Sequence, residues 1–229
     1  MSIAENTAQI EERVQKACEK AGRKREEITL MGVTKFLPAD KVEEAYNAGI
    51  RCFGESRVKE AAEKFEPFRA GHSVQLHLIG GLQRNKAKTA AFLFDCVQSA
   101  DREEIIAELE KHSAGREKPL EILLELHTGE ETKSGFADID SLFRAAQMVM
   151  DSKHLKACGL MTMAPFTQDT ELIRGSFRQV VNAQKELQKR FPPNVNWECL
   201  SMGMSNDFEI AIEEGSTMVR IGSLLFKEQ

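Results

Sequence analysis

Ile28-Thr29-Leu30-Met31-Gly32-Val33-Thr34-Lys35 is an apolar run that stops at an ammonium, and Phe36-Leu37-Pro38-Ala39-Asp40 then turns toward a helix. A short apolar run bounded by turn residues reads as a buried strand. The same pattern recurs along the chain, with strand-like segments at 51–53, 75–79, 94–98, 120–126, 155–161, 197–202 and 218–221. Helical spacings fill the intervals. Ile10, Val14, Ala17, Cys18 and Ala21 share one face before the first strand; Val42, Ala45, Tyr46 and Gly49 share one after it. A charged helix is predicted over 55–68, a basic one from 83 and a further one over 139–150. A long one follows Asp169, with Leu172, Phe177, Val180, Val181 and Leu187 as its buried stripe. Asp101 and Glu104 stand at capping-box spacing ahead of another. Eight strands alternating with helices predict a parallel sheet, and that number favours closure. The expected architecture is α/β: a single TIM-type (β/α)8 barrel domain over residues 1–229 with an extra N-terminal helix.

Composition narrows the function. Of 229 residues, 41% are hydrophobic and 29% charged, and 31 basic against 36 acidic side chains give a net charge of -5. An acidic total gives a nucleic-acid partner no global support. No apolar stretch approaches the roughly 20 residues needed to span a bilayer, and the first 24 residues lack the apolar middle of a secretory signal. Cys18, Cys52, Cys96, Cys158 and Cys199 are odd in number and without a C-x-x-C pair, so neither a disulfide framework nor a metal site is indicated. The expectation is a cytoplasmic protein that binds no metal, membrane or nucleic acid.

Strand periodicity aims the polar residues. Leu76 and Leu78 share an outer face, which turns His77 inward; Val219 and Ile221 do the same for Arg220. Ile28 and Leu30 oppose Met31, Val33 and Lys35, placing Lys35 on the inner side. An ammonium at the end of a buried strand is desolvated, which favours its neutral form and a Schiff-base role. The plainer alternatives are a lysine reaching solvent, a hydrogen-bonded core histidine, and an Arg220 ion pair with Glu125. Near the C-terminus, Leu200-Ser201-Met202-Gly203-Met204-Ser205-Asn206-Asp207-Phe208 reads as strand, glycine turn and a helix over 206–214 with Ser205 as N-cap. Val219-Arg220-Ile221-Gly222-Ser223 closes the last strand. Barrels bind phosphate with the loops after strands seven and eight. A phosphate pocket, an interior lysine and an inward arginine together fit pyridoxal 5'-phosphate, with Arg220 donating to an unprotonated ring nitrogen.

The segments Gly32-Val33-Thr34-Lys35, Phe53-Gly54-Glu55, His77 through Lys86, Thr132-Lys133-Ser134-Gly135, Gly159 through Met163, Ser201 through Asp207 and Gly215 through Gly222 resemble the pyridoxal phosphate homeostasis protein family. That family is in turn similar to the barrel domain of alanine racemase. The resemblance implies covalent pyridoxal phosphate on Lys35, with Ser201, Met204, Ser205, Gly222 and Ser223 around the phosphate. It also places Arg220 at the ring nitrogen, His77 and Met161 beside the ring, and Lys133 as a secondary exchange position. It implies a role in vitamin B6 homeostasis without turnover, with apo-forms of pyridoxal phosphate enzymes as partners and a monomeric state. Three positions depart from the family pattern: Ser56-Arg57 for Asn-Tyr, Leu37 for a second lysine, and Glu130-Glu131 for Glu-Asn.

An enzyme is the competing reading: a small amino-acid racemase, or an aldolase using Lys35 without cofactor. A racemase of this type needs a tyrosine from a further domain, whereas Tyr46 shares a helix stripe and seven residues follow Gly222. A third reading, RNA or an acidic partner at Arg84-Asn85-Lys86-Ala87-Lys88, is opposed by the acidic total.

Overall fold

The computed structural model describes residues 2–129, 134–191 and 197–227. Its elements run α1 (Ile3–Lys20), β1 (Thr29–Val33), α2 (Ala39–Asn47), β2 (Cys52–Glu55), α3 (Val58–Arg69), β3 (Gln75–Leu78), α4 (Ala87–Leu93) and β4 (Cys96–Ala100). They continue α5 (Glu103–Ser113), β5 (Leu120–Glu125), α6 (Ile139–Asp151), β6 (Leu155–Met161), α7 (Thr170–Arg190), β7 (Cys199–Ser201), α8 (Phe208–Glu213), β8 (Met218–Ile221) and α9 (Ser223–Phe226). The strands close into a barrel in sequence order. Parallel pairing of β1 with β8, from Thr29↔Met218 to Gly32↔Ile221, completes the ring. The expected (β/α)8 barrel with a preceding helix is what forms.

Local chemistry sets the helix starts. Ser2 and Glu5 exchange hydrogen bonds in a capping box at α1, and Asp169 accepts from the Glu171 and Leu172 N–H groups at α7. Each satisfies donors that have no partner inside the helix. The expected box at Asp101 does not form. Arg102 is the N-cap of α5 without a side-chain bond, and Asp101 instead accepts from the Arg102 guanidinium at 2.6 Å. The charged helix begins at Val58 rather than at 55, because Glu55 finishes β2. On α7, Phe177, Val180 and Leu187 are buried as expected, but the stripe opens at Ile173, while Leu172 is 58% exposed.

Outward residues such as Leu30, Phe53, Leu76, Val97, Leu124, Leu160 and Val219 join the helices in one apolar cluster. The interior is filled differently. Met31, Cys52 and Met218 form one inner cluster, and Cys96, Leu123, Cys158 and Met161 form another. Sulfur side chains adapt to an irregular space. Burial pushes the Cys158 thiol up to about 12 and Cys199 to about 11, so both are protonated filling rather than nucleophiles. All five cysteines are free thiols, and no three His, Cys, Asp or Glu side chains among the described residues could hold a metal ion.

Gly159 redirects β6. It adopts φ +153°, and a Cβ there would lie 1.8 Å from the Cys199 carbonyl oxygen. Register slips at this point, from Ile122↔Ala157 to Leu123↔Gly159. A bulge of this kind shifts the alternation by one residue. Leu160 therefore faces the helices and Met161 the interior, the reverse of what strict alternation from Ala157 gives.

Candidate functional site

Two groups of polar residues meet where the strands end. The deeper one starts at Arg220, buried on the inner face of β8. Its guanidinium donates to the Ser201 carbonyl at 2.6 Å, to Ser201 Oγ at 2.7 Å and to the Thr162 carbonyl at 2.7 Å. Ser201 Oγ donates to Gln98 Oε1 at 2.6 Å. Gln98 Nε2 lies 2.8 Å from His77 Nδ1 and 3.1 Å from the Met218 sulfur.

The direction of this chain follows from one fact: a guanidinium has donors only. Ser201 accepts from Arg220, so its own proton goes to Gln98. Gln98 then presents its NH2 to His77, and Nδ1 must accept. His77 is a neutral imidazole with its proton on Nε2. Burial points the same way, lowering its pKa to about 4. Burial also brings Arg220 down to about 10, held up partly by Asp207 and Glu125, which leaves it a cation at neutral pH. The alternative ion pair between Arg220 and Glu125 does not form among the described residues. Arg220 bonds to neutral oxygens, while Glu125 accepts from Ser134 Oγ at 2.9 Å and burial raises its pKa.

The second group lies at the rim. Lys35 is exposed, which corrects the expectation of a desolvated amine at a strand end. β1 ends at Val33, and Lys35 occupies a turn in which Leu37 N–H donates to the Thr34 carbonyl at 3.1 Å. Phe36 completes the turn at φ +64°, a region a bulky side chain rarely enters. The turn carries Lys35 beyond the sheet, so strand alternation no longer governs it. Lys35 and Phe36 line a cavity of about 620 Å³ with Asn206, Gly222, Ser223 and Lys227. The remaining lining side chains are apolar, and none is a carboxylate. A second cavity of about 600 Å³ opens among residues that include the starts of β1, β2 and β3, near Arg25, Tyr46 and Arg51. Barrel chemistry belongs to the strand C-termini, so the first is the candidate site.

The structure thus gathers the expected residues in two sets joined by β8, where Arg220 precedes Gly222 by two positions. Lys35, Gly222 and Ser223 share the rim cavity. His77, Ser201 and Arg220 share the network, and Met161 sits opposite Ser201 in the β6–β7 register. Met204 and Ser205 lie in the turn after β7. Ser205 is not the N-cap of α8: Asp207 takes that position. Ser205 Oγ instead accepts from Leu224 N–H at 3.3 Å, tying this turn to α9. Lys133 and the Glu130-Glu131 departure lie outside the described residues. Sequence reading missed Gln98, Thr162 and Asn206. Gln98 left one signal, a polar residue in a strand next to the strand that carries His77.

Comparison with known proteins reaches the same place. A protein of Aquifex aeolicus (strain VF5), named pyridoxal phosphate homeostasis protein, is 37% identical over 229 residues, 100% of this chain and 99% of its own. The chain belongs to that family. The relative of the same name in Escherichia coli (strain K12) is 36% identical over 229 residues, 98% of this chain and 95% of its own. The family model for the alanine racemase N-terminal domain matches residues 6–229. Among solved structures, PipY of Synechococcus elongatus PCC7942, determined with PLP bound, superposes with a TM-score of 0.85 at 30% identity. That match covers 98% of this chain and 100% of PipY. Alanine racemase from E. faecalis shares the fold at a TM-score of 0.71 and 19% identity, covering 97% of this chain and 58% of the racemase. These relatives in the homeostasis family bear names of homeostasis proteins rather than of enzymes. No helix among the described residues is long and apolar enough to cross a membrane.

Proposed function

We propose that this chain, as one barrel domain, binds pyridoxal 5'-phosphate covalently at Lys35 and takes part in pyridoxal phosphate homeostasis without turnover of its own. The observation that carries this reading is the rim cavity. It brings an exposed lysine, a glycine backbone, a serine hydroxyl and a second cation together with no carboxylate on the wall. That donor set fits a phosphorylated aldehyde and repels few anions. When bound, the cofactor supplies an aldehyde able to condense with a lysine amine.

Each residue then has a stated task. Lys35 offers the amine. Gly222 and Ser223 line the phosphate end, with Met204 and Ser205 in the adjoining turn. Arg220, held by Ser201 and Thr162, is the residue that would face the ring nitrogen, and because a guanidinium keeps its proton it would donate to that nitrogen rather than protonate it. That would make the pocket a weaker electron sink than one that pairs the ring nitrogen with a carboxylate. His77 and Met161 would flank the ring, and Lys133 would be a transient exchange position or, on the plainer reading, a solvated loop lysine. A neutral His77 cannot act as a base through Nδ1, because Gln98 occupies that lone pair. Tyr46 packs against Phe68 and His72, away from the strand C-termini, and supplies no second acid. The protein acts in the cytoplasm as a monomer, with apo-forms of pyridoxal phosphate enzymes as recipients.

Borohydride reduction followed by peptide mass spectrometry tests this. The expected adduct is on Lys35 and is absent in Lys35→Ala. Full occupancy elsewhere with Lys35 unmodified overturns the assignment, and steady-state racemisation of amino acids overturns the carrier reading.

A further inference from the structure

Directly behind Lys35, on the helix-facing side of the barrel, a polar cluster interrupts the apolar layer. Lys64 reaches from α3 and donates at 2.7 Å both to the Thr34 carbonyl and to Glu55 Oε1. Thr34 Oγ1 donates to the same Glu55 oxygen at 2.7 Å. The three residues close a ring that passes through the Thr34 backbone carbonyl. Glu55 is fully buried and the Lys64 side chain is 9% exposed.

The cluster grips one residue completely. Thr34 N–H donates to the Gly54 carbonyl at 3.1 Å, and its own carbonyl accepts from Leu37 N–H at 3.1 Å as well as from Lys64. Its hydroxyl is held by Glu55. Thr34 precedes Lys35 in the chain, and its carbonyl closes the turn that presents the Lys35 amine. That turn contains Phe36 at φ +64°, a conformation that persists only where the surroundings over-determine it.

Stability alone explains the cluster poorly. Glu55 Oε2 is buried with no hydrogen-bond partner among the described residues. A buried ion pair with an unsatisfied oxygen is no better than an apolar replacement. What it does achieve is geometric: it ties α3 and β2 to the peptide that carries Lys35.

We propose that Lys64 and Glu55 are positioning residues, fixing the Thr34–Leu37 turn and with it the Lys35 amine. This rests on the reading that Lys35 receives the cofactor. The test removes the cluster without orphaning any member, as Thr34→Val/Glu55→Leu/Lys64→Met, with Lys64→Arg as the variant that keeps both donations. In cofactor-free protein, hydrogen exchange at the Leu37 amide is expected to quicken at least about tenfold in the triple variant while core amides and the melting temperature hold. Pyridoxal phosphate binding is expected to weaken about tenfold or more, as displaced reacting groups do, with loss of the induced circular dichroism of the bound cofactor. Lys64→Arg should retain wild-type Leu37 exchange and affinity. Unchanged Leu37 exchange and unchanged affinity in the triple variant overturn the proposal, as does a fall in melting temperature with both retained. Should the triple variant not fold, Lys64→Gln is read by the same Leu37 measurement. An adduct persisting in Lys35→Ala would sink the lysine assignment instead, and the exchange result in cofactor-free protein would still decide the turn.

Discussion

Replacing His77 with glutamine should flatten the acid side of the stability curve. Burial holds the folded-state pKa of His77 near 4, against about 6.5 for an unperturbed histidine. The unfolded chain therefore binds a proton first as pH falls. The contribution of His77 is complete above pH 6.5 and is lost as pH drops from there through 4. Two and a half units at 1.36 kcal/mol each give about 3 kcal/mol in full, and about 2 kcal/mol between pH 7 and pH 5. The substituted side chain would not titrate, yet its amide oxygen can still accept from Gln98. The assay is urea unfolding of both proteins, free of cofactor, at pH 7, 6 and 5. Wild type is expected to lose about 2 kcal/mol more than His77→Gln over that interval. Other titrating groups cancel in the difference, including Glu125, whose raised pKa acts in the opposite sense. Parallel curves for the two proteins would refute both the burial and the directed chain from Arg220.

Gly159→Ala drives a Cβ to 1.8 Å from the Cys199 carbonyl oxygen and should cost about 3 kcal/mol or more. Gly71→Ala, with nothing within 4 Å of the new carbon, should stay within about 0.5 kcal/mol by the same denaturation assay. Gly203→Ala meets the Ala211 Cβ at 2.6 Å at a backbone φ of +96°. It should lose about 2 kcal/mol and weaken pyridoxal phosphate binding, because the Gly203 carbonyl also receives Arg220 N–H; unchanged affinity in a fluorescence titration would count against that link. Arg220→Met strips donors from Ser201 and Thr162 and should lower stability by about 3 kcal/mol in chemical denaturation.

The resemblance read from motifs such as His77 through Lys86 agrees with the family found by comparison. The same local segments carried the barrel, because a buried strand and an amphipathic helix each announce themselves within a few turns or pleats of chain. Boundaries were less legible. Glu55 looked like a helix start because charge in sequence does not reveal a Lys64 nine residues later that neutralises it inside the protein. Ser205 looked like an N-cap, but its hydroxyl was drawn to Leu224 by the folding of α9 beside it.

By itself the order of apolar and polar residues determined a closed parallel barrel and an inward His77 and Arg220. Those features depend on the periods of strand and helix, which are local. Tertiary structure alone decided that Lys35 stands exposed on a turn, that the Gly159 bulge turns Met161 inward, and that Gln98 joins Ser201 to His77. Each of these rests on a contact between residues on different strands or on a backbone angle. No periodicity encodes such contacts, because they exist only once the ring has closed.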